Sequence, residues 1–132
     1  MNETKADRQL DLTPVFGERA REILNRYIKA LKQSLPVEEV WLFGSGARGG
    51  LTPDSDLDLL VVLSDDHGLS RPNLACYRVI RRLHTGVPTD VLAVTKSQWE
   101  SEQKDLFGIF GEVHREGVKL YGNGREEPAA LV

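Results

Sequence analysis

The sequence has a single cysteine, Cys76, among 132 residues. One thiol excludes an internal disulfide, and a reducing cytoplasm is the expected setting. Long apolar runs are missing as well. No stretch approaches the ~18–20 residues of a membrane span, and the polar stretch from Met1 to Asp11 has no signal-type apolar region. There is no basic excess: 17 Lys and Arg stand against 20 Asp and Glu, for a net charge of −3. That balance argues against strong nucleic-acid binding, although it allows one nucleotide held through metal. The three histidines, His67, His84 and His114, lack metal-ligand spacing and read as surface residues. No internal repeat or low-complexity segment is present. What remains, 40% hydrophobic and 28% charged, is an ordinary globular mixture, long enough for one domain with a real core.

Residues 1–12 are polar and read as a flexible N-terminus, residues 13–121 as the folded domain, and residues 122–132 as a flexible tail. Thr13-Pro14 has the pattern of a helix start, with Thr as N-cap and Pro in the first turn. Phe16, Ala20, Ile23, Leu24, Tyr27, Ile28, Leu31 and Leu35 follow at helical spacing up to Pro36, so the helix is amphipathic and covers a sheet. Apolar runs at 38–43 and 57–63 read as strands buried on both faces. Ser70 to Thr85 reads as a helix with Leu74, Tyr77, Ile80 and Leu83 inward, and Cys76 as core filler. Pro88 to Thr95 reads as a third strand. Ser97-Gln98-Trp99-Glu100 has a capping-box pattern opening a helical stretch, which Leu106, Ile109, Phe110 and Val113 continue to Gly117. Lys119 to Tyr121 suggests a short edge strand. This alternation predicts an α/β (α+β) fold: a single small domain around one central sheet.

Three aspartates interrupt apolar strand sequence. Asp56 and Asp58 open the second strand and, two residues apart, share a face. Asp90 breaks the third. An unpaired buried carboxylate costs several kcal/mol or neutralises. If the two strands are neighbours, all three carboxylates can converge, and they stay ionised only with cations between them. All-oxygen ligation suits Mg²⁺ or Mn²⁺, and two such ions ~3.5–4 Å apart clamp the attacking and leaving oxygens of displacement at phosphorus. The turn Gly44-Ser45 after the first strand fits the same chemistry. Gly44 lets backbone approach a phosphate, Ser45 offers a hydroxyl and an amide, and a short helix from Gly46 would present its N-terminus. Arg48 adds charge-assisted contacts.

Other readings explain less. Gly44-x-Gly46-x-x-Gly49 also matches the dinucleotide-binding fingerprint, with Asp65 about twenty residues on. However, Thr52-Pro53-Asp54-Ser55 cuts short the helix that fold needs, and the aspartates go unused. A Walker loop fails for want of Lys-Ser/Thr. Asp54-x-Asp56-x-Asp58 resembles a calcium loop, but Leu59 stands where Gly belongs and Asp65 where Glu belongs. A structural reading makes the aspartates polar caps at strand ends, and one alone would fit it. Trp41 and Trp99 read as packing, and Arg71, Arg78, Arg81 and Arg82 as a solvated helix face.

Gly44-Ser45, ten residues, Asp56-x-Asp58 and then Asp90 on a later strand resembles the nucleotidyltransferases of the DNA polymerase beta superfamily. More narrowly, it is similar to the minimal, MNT-type members over roughly residues 15–121. The resemblance implies the nucleotidyltransferase fold, a central mixed sheet flanked by helices. It implies transfer of AMP from ATP to a hydroxyl with release of pyrophosphate. Asp56 and Asp58 would hold both Mg²⁺ ions, Asp90 the catalytic one while helping to deprotonate the acceptor, and Gly44 and Ser45 the triphosphate. The chain departs from the pattern at Gly46, where many members carry arginine. MNT-type proteins often pair with a small helical HEPN-type protein, so the resemblance implies the antitoxin of a toxin–antitoxin pair that adenylylates a tyrosine of the toxin, and a hetero- or homo-oligomer. A binding module that neutralises its partner by occlusion, and an antibiotic-type small-molecule adenylyltransferase, are the alternatives.

Overall fold

The structure, a computed structural model, describes residues 17–44 and 56–122. The expected cap at Thr13-Pro14, the short helix after Gly46 and most of the flexible ends fall outside the described residues. Helix α1 (Gly17–Ser34) leads to strand β1 (Val37–Phe43). Strand β2 (Leu57–Leu63), helix α2 (Pro72–Arg81) and strand β3 (Thr89–Thr95) follow. Two short helices, α3 (Lys96–Glu102) and α4 (Ile109–Glu116), precede strand β4 (Val118–Tyr121). The sheet runs β3-β2-β1-β4. β2 pairs with β3 in parallel, whereas β1 is antiparallel to both β2 and β4. The expected central mixed sheet is therefore present. The parallel pair needs a long crossover, which α2 supplies.

Residue parity separates two cores. Leu57, Leu59, Val61 and Leu63 of β2 face α1 and α2, where they meet Ile23, Leu24, Tyr27, Ile28 and Leu31. Leu60 and Val62 face the other side, with Trp41, Val94, Trp99 and Val113. β2 is thus buried on both faces, as its unbroken apolar run requires. Cys76 lies in the first core, as expected of core filler. Trp41 and Trp99 pack with ring centroids 5.2 Å apart in the second.

Several local readings change. The α2 helix buries Cys76, Val79 and Ile80, while Tyr77 stands 42% exposed instead of inward. Thr95, not Ser97, caps α3: its hydroxyl accepts from the Gln98 amide at 3.2 Å. Ser97 instead donates both its hydroxyl and its amide to Asp65, which holds that carboxyl below the usual range. The helical stretch after it is broken between Glu102 and Ile109. There the Asp105 carboxylate accepts from the Phe107 amide, and the Arg115 guanidinium donates to the carbonyls of Asp105 and Leu106. Leu106 is consequently exposed.

Glu39 is the one buried charged side chain among the described residues, 3% exposed. It sits where the β1–β2 register shifts. Its carboxylate accepts from Trp41 Nε1 at 2.9 Å and from Lys96 Nζ at 2.7 Å. The first residue of α3 is thereby tied to β1 across the sheet. That contact raises the Lys96 pKa, so its contribution to stability is present up to about pH 10 and lost as pH rises through the raised value. Glu39→Ala removes the buried acceptor shared by the Trp41 indole and Lys96 and should lower stability by about 1–3 kcal/mol. Glu39→Gln, which keeps an acceptor, should lower it less, as chemical denaturation will measure. Burial also pushes the Cys76 thiol up from 9.0 to about 11. Its thiolate fraction at pH 8 then falls about a hundredfold, so alkylation should be slow in the native protein and fast after unfolding. The unfolded chain releases this proton first, so stability should decline above pH 9.

Candidate active site

The register of two strand pairs builds the site. Asp58 lies opposite Asp90 across the parallel β2–β3 ladder and opposite Phe43 across the antiparallel β1–β2 ladder. Parity puts Asp58 on the face of Leu60 and Val62, and Asp90 on the face of Leu92 and Val94, which is the same face. Here the aromatic core ends: Phe43 and Leu92 pack at its margin, and the next positions on β2 and β3 are the two carboxylates. Asp58 is half-buried and Asp90 exposed. Asp56 precedes β2 and is exposed.

Gly44 follows Phe43 directly and has φ +75°. A side chain there would be strained by that backbone angle, and its Cβ would run into the carboxylate of Asp58. The glycine is therefore required twice, once for the turn and once for the space beside Asp58. Ser45, Gly46 and Arg48 lie outside the described residues.

The structure brings Asp58 and Asp90 together beside Gly44. Among the described residues, no group of three or more His, Cys, Asp and Glu side chains is gathered to hold a metal ion. Two neighbouring carboxylates nevertheless fit Mg²⁺, which keeps several waters and binds through one or two carboxylates together with substrate phosphates. All donors are oxygen, as a hard cation prefers.

A cleft of about 500 Å³ opens on the other side of Asp90, between the end of α2 and the start of β3. Its floor is a hydroxyl network that sequence reading missed. Tyr27 Oη lies 2.7 Å from Thr85 Oγ1 and 3.0 Å from Thr89 Oγ1. Thr89 donates to the Val87 carbonyl, and Thr85 accepts from the Val87 amide. Tyr27 looks like any other core residue of an amphipathic helix. Only a tyrosine in place of phenylalanine hinted at a polar partner.

Gly44→Ala and Gly68→Ala both place a side chain on left-handed backbone, but a Cβ at Gly68 meets nothing within 4 Å. Both should lose about 1–3 kcal/mol in thermal or denaturant melts. Only Gly44→Ala should also weaken Mg²⁺-dependent ATP binding in calorimetry. Unchanged ATP binding in that variant would remove Gly44 from the site.

The sequence profile of the nucleotidyltransferase domain family matches residues 24–111, a span that contains β1, Gly44, Asp56, Asp58 and Asp90. A Methanocaldococcus jannaschii protein named as a putative protein adenylyltransferase is 40% identical over 47 residues, 36% of this chain. That match spans 47% of the relative, about half its length. A crystal structure of a toxin–antitoxin with AMP-PNP shares the fold with TM-score 0.50 at 23% identity, over 81% of this chain and 79% of that one. A second, of the toxin–antitoxin MntA–HpeT with two aspartate-to-glutamate substitutions, aligns with TM-score 0.54 at 20% identity and the same coverage. With a mixed sheet that sets two carboxylates beside a glycine turn, and a family profile matched over most of its length, this chain belongs to the nucleotidyltransferase domain family.

Proposed function

We propose that the chain transfers AMP from ATP to a hydroxyl of a partner protein, as the antitoxin of a toxin–antitoxin pair. The observation that carries this reading is the side-by-side placement of Asp58 and Asp90 next to Gly44. The adenylyltransferase name of the relative supports the donor and the protein acceptor, and the toxin–antitoxin neighbours, one with AMP-PNP, support the setting. In one neighbour the substituted aspartates stand two residues apart, the spacing of Asp56 and Asp58 here. A small helical HEPN-type toxin is the partner proposed.

Asp58 and Asp90, with Asp56 at the rim, would hold the two Mg²⁺ ions. Gly44, Ser45 and Arg48 hold the triphosphate: close backbone at the glycine, a hydroxyl and amide at the serine, a guanidinium at the arginine. Bound Mg²⁺ supplies neutralisation of the phosphate charge and polarisation of the α-phosphoryl group. The Asp90 carboxylate accepts the proton of the acceptor hydroxyl. That oxygen then forms a bond to the α-phosphorus as the bond to the bridging oxygen breaks. Pyrophosphate leaves with the electron pair, and AMP remains on the acceptor.

No described helix is long and apolar enough to cross a membrane.

Incubation of the chain with its co-purifying partner, Mg²⁺ and ATP should add one AMP to the partner, read by intact mass. Asp58→Asn and Asp90→Asn should each cut the rate by at least about a hundredfold, the scale expected for a lost catalytic carboxylate. A stable complex without added AMP would make the domain a module that works by occlusion. Transfer to a small hydroxyl compound but never to protein would move the acceptor to the antibiotic-type class.

A further inference from the structure

β3 is an edge strand of the described sheet. Backbone groups along a strand alternate sides, and Pro88 turns its carbonyl inward to accept from the Leu57 amide at 2.9 Å. By the same alternation Asp90, Leu92 and Val94 face β2, while Thr89, Val91 and Ala93 turn their N–H and C=O outward. The Ala93 amide is already taken, donating to Asn73 Oδ1 at 2.6 Å. Asn73 lies in the first turn of α2, and Tyr77 and Arg81 follow it at successive i+4 steps on the same stripe. The helix therefore runs beside the strand edge. Asn73 closes the far end, and Tyr77 and Arg81 line the cleft that reaches Thr89 and Asp90.

The charge of this cleft is asymmetric. Arg81 lies on its α2 side, and the one carboxylate of the lining, Asp90, lies on β3. α2 itself contains no Asp or Glu and has Arg78 and Arg81 in its last turn. The floor is held by the Tyr27–Thr85–Thr89 hydroxyls, so little ordering is needed when a ligand binds.

We propose that the acceptor reaches Asp90 as an extended, acidic polypeptide segment that pairs with the outer backbone of Thr89 and Val91, between β3 and the Tyr77–Arg81 stripe. The proposal rests on the transferase reading above and names its substrate class. Strand addition draws affinity from main-chain hydrogen bonds and specificity from alternate side chains. Both act here. The residue of the added strand beside Asp90 projects on the face of Asp90, so it carries the hydroxyl. Its two neighbours project on the α2 face, where Arg81 is the charged group of the cleft lining, so they are acidic. The recognised pattern is acidic, hydroxyl, acidic. Asn73 sets the register, because it already takes the Ala93 amide.

The test uses a blocked, dye-labelled pentapeptide with a central tyrosine between two glutamates, and a version with two lysines in their place. Fluorescence anisotropy is read with the full chain, without ATP. The glutamate peptide should bind at least about tenfold tighter, and Arg81→Glu should abolish or reverse that preference. N-methylation of amides of one parity should weaken binding about tenfold or more, and of the other parity should not, because only one set of N–H groups faces β3. Equal binding of both peptides, or indifference to N-methylation at either parity, overturns the proposal. So does competitive displacement of the peptide by ATP, which would make the cleft a nucleotide subsite. The two readings fail separately. Glutamate-peptide binding that persists in Asp58→Asn, with no AMP transfer by the parent, sustains the docking site and removes the transferase. AMP transfer to a small hydroxyl compound without peptide binding does the reverse.

Discussion

Two carboxylates set side by side on neighbouring strands repel each other, and the sheet has to hold Asp58 and Asp90 there against that repulsion. At about 4 Å in water the repulsion is only ~1 kcal/mol, but it grows as the surroundings become less polar. β2 supplies the restraint. Its six residues from Leu57 to Leu63 other than Asp58 are fully buried, packed against α1 and α2 on one face and α3 and α4 on the other. A one-residue slip of β2 would turn Asp58 into the α1–α2 core and Leu59 toward the site. The same apolar packing that stabilises the sheet therefore fixes the relative position of the two acids.

The two faces contribute differently. The larger core anchors β2 and also provides Tyr27, which reaches Thr85 and Thr89 and secures the segment leading into Asp90. The aromatic core holds α3 against the sheet through Trp41, Trp99 and the Glu39–Lys96 contact, then stops at Phe43 and Leu92. The site opens where this core runs out. On one side of the carboxylates is Gly44, on the other the cleft at the start of β3, the edge strand of the described sheet.

Much of this was legible from residue type and spacing. Apolar runs interrupted by single aspartates identify strands with an exposed acidic end, and a glycine after the first run marks a turn that approaches them. Glu39 could have been read by the same logic, as a charge inside a strand that demands a partner, although nothing local identifies Lys96. Other local signals misled because a competing contact won. Ser97 has the pattern of a cap but is drawn to Asp65, leaving the cap to Thr95. Leu106 keeps helical spacing, yet Asp105 and Arg115 hold its segment as a loop. Tyr77 lies next to buried Cys76 but faces the cleft, since α2 packs along the strand edge and not squarely over the sheet.

By itself the sequence determined the alternation of helices and strands, the faces each buries, and the acids that cannot be core. These follow from periodicity and from the cost of burying charge, both local properties of the chain. Only the tertiary structure decided that Asp58 stands beside Asp90, that Asp56 remains at the rim, and that Thr89 and Val91 lie on an edge with Asn73 at its end. Strand order and register arise from contacts between segments far apart in sequence, such as Leu57 with Pro88 and Asn73 with Ala93, and no local pattern encodes which segments meet.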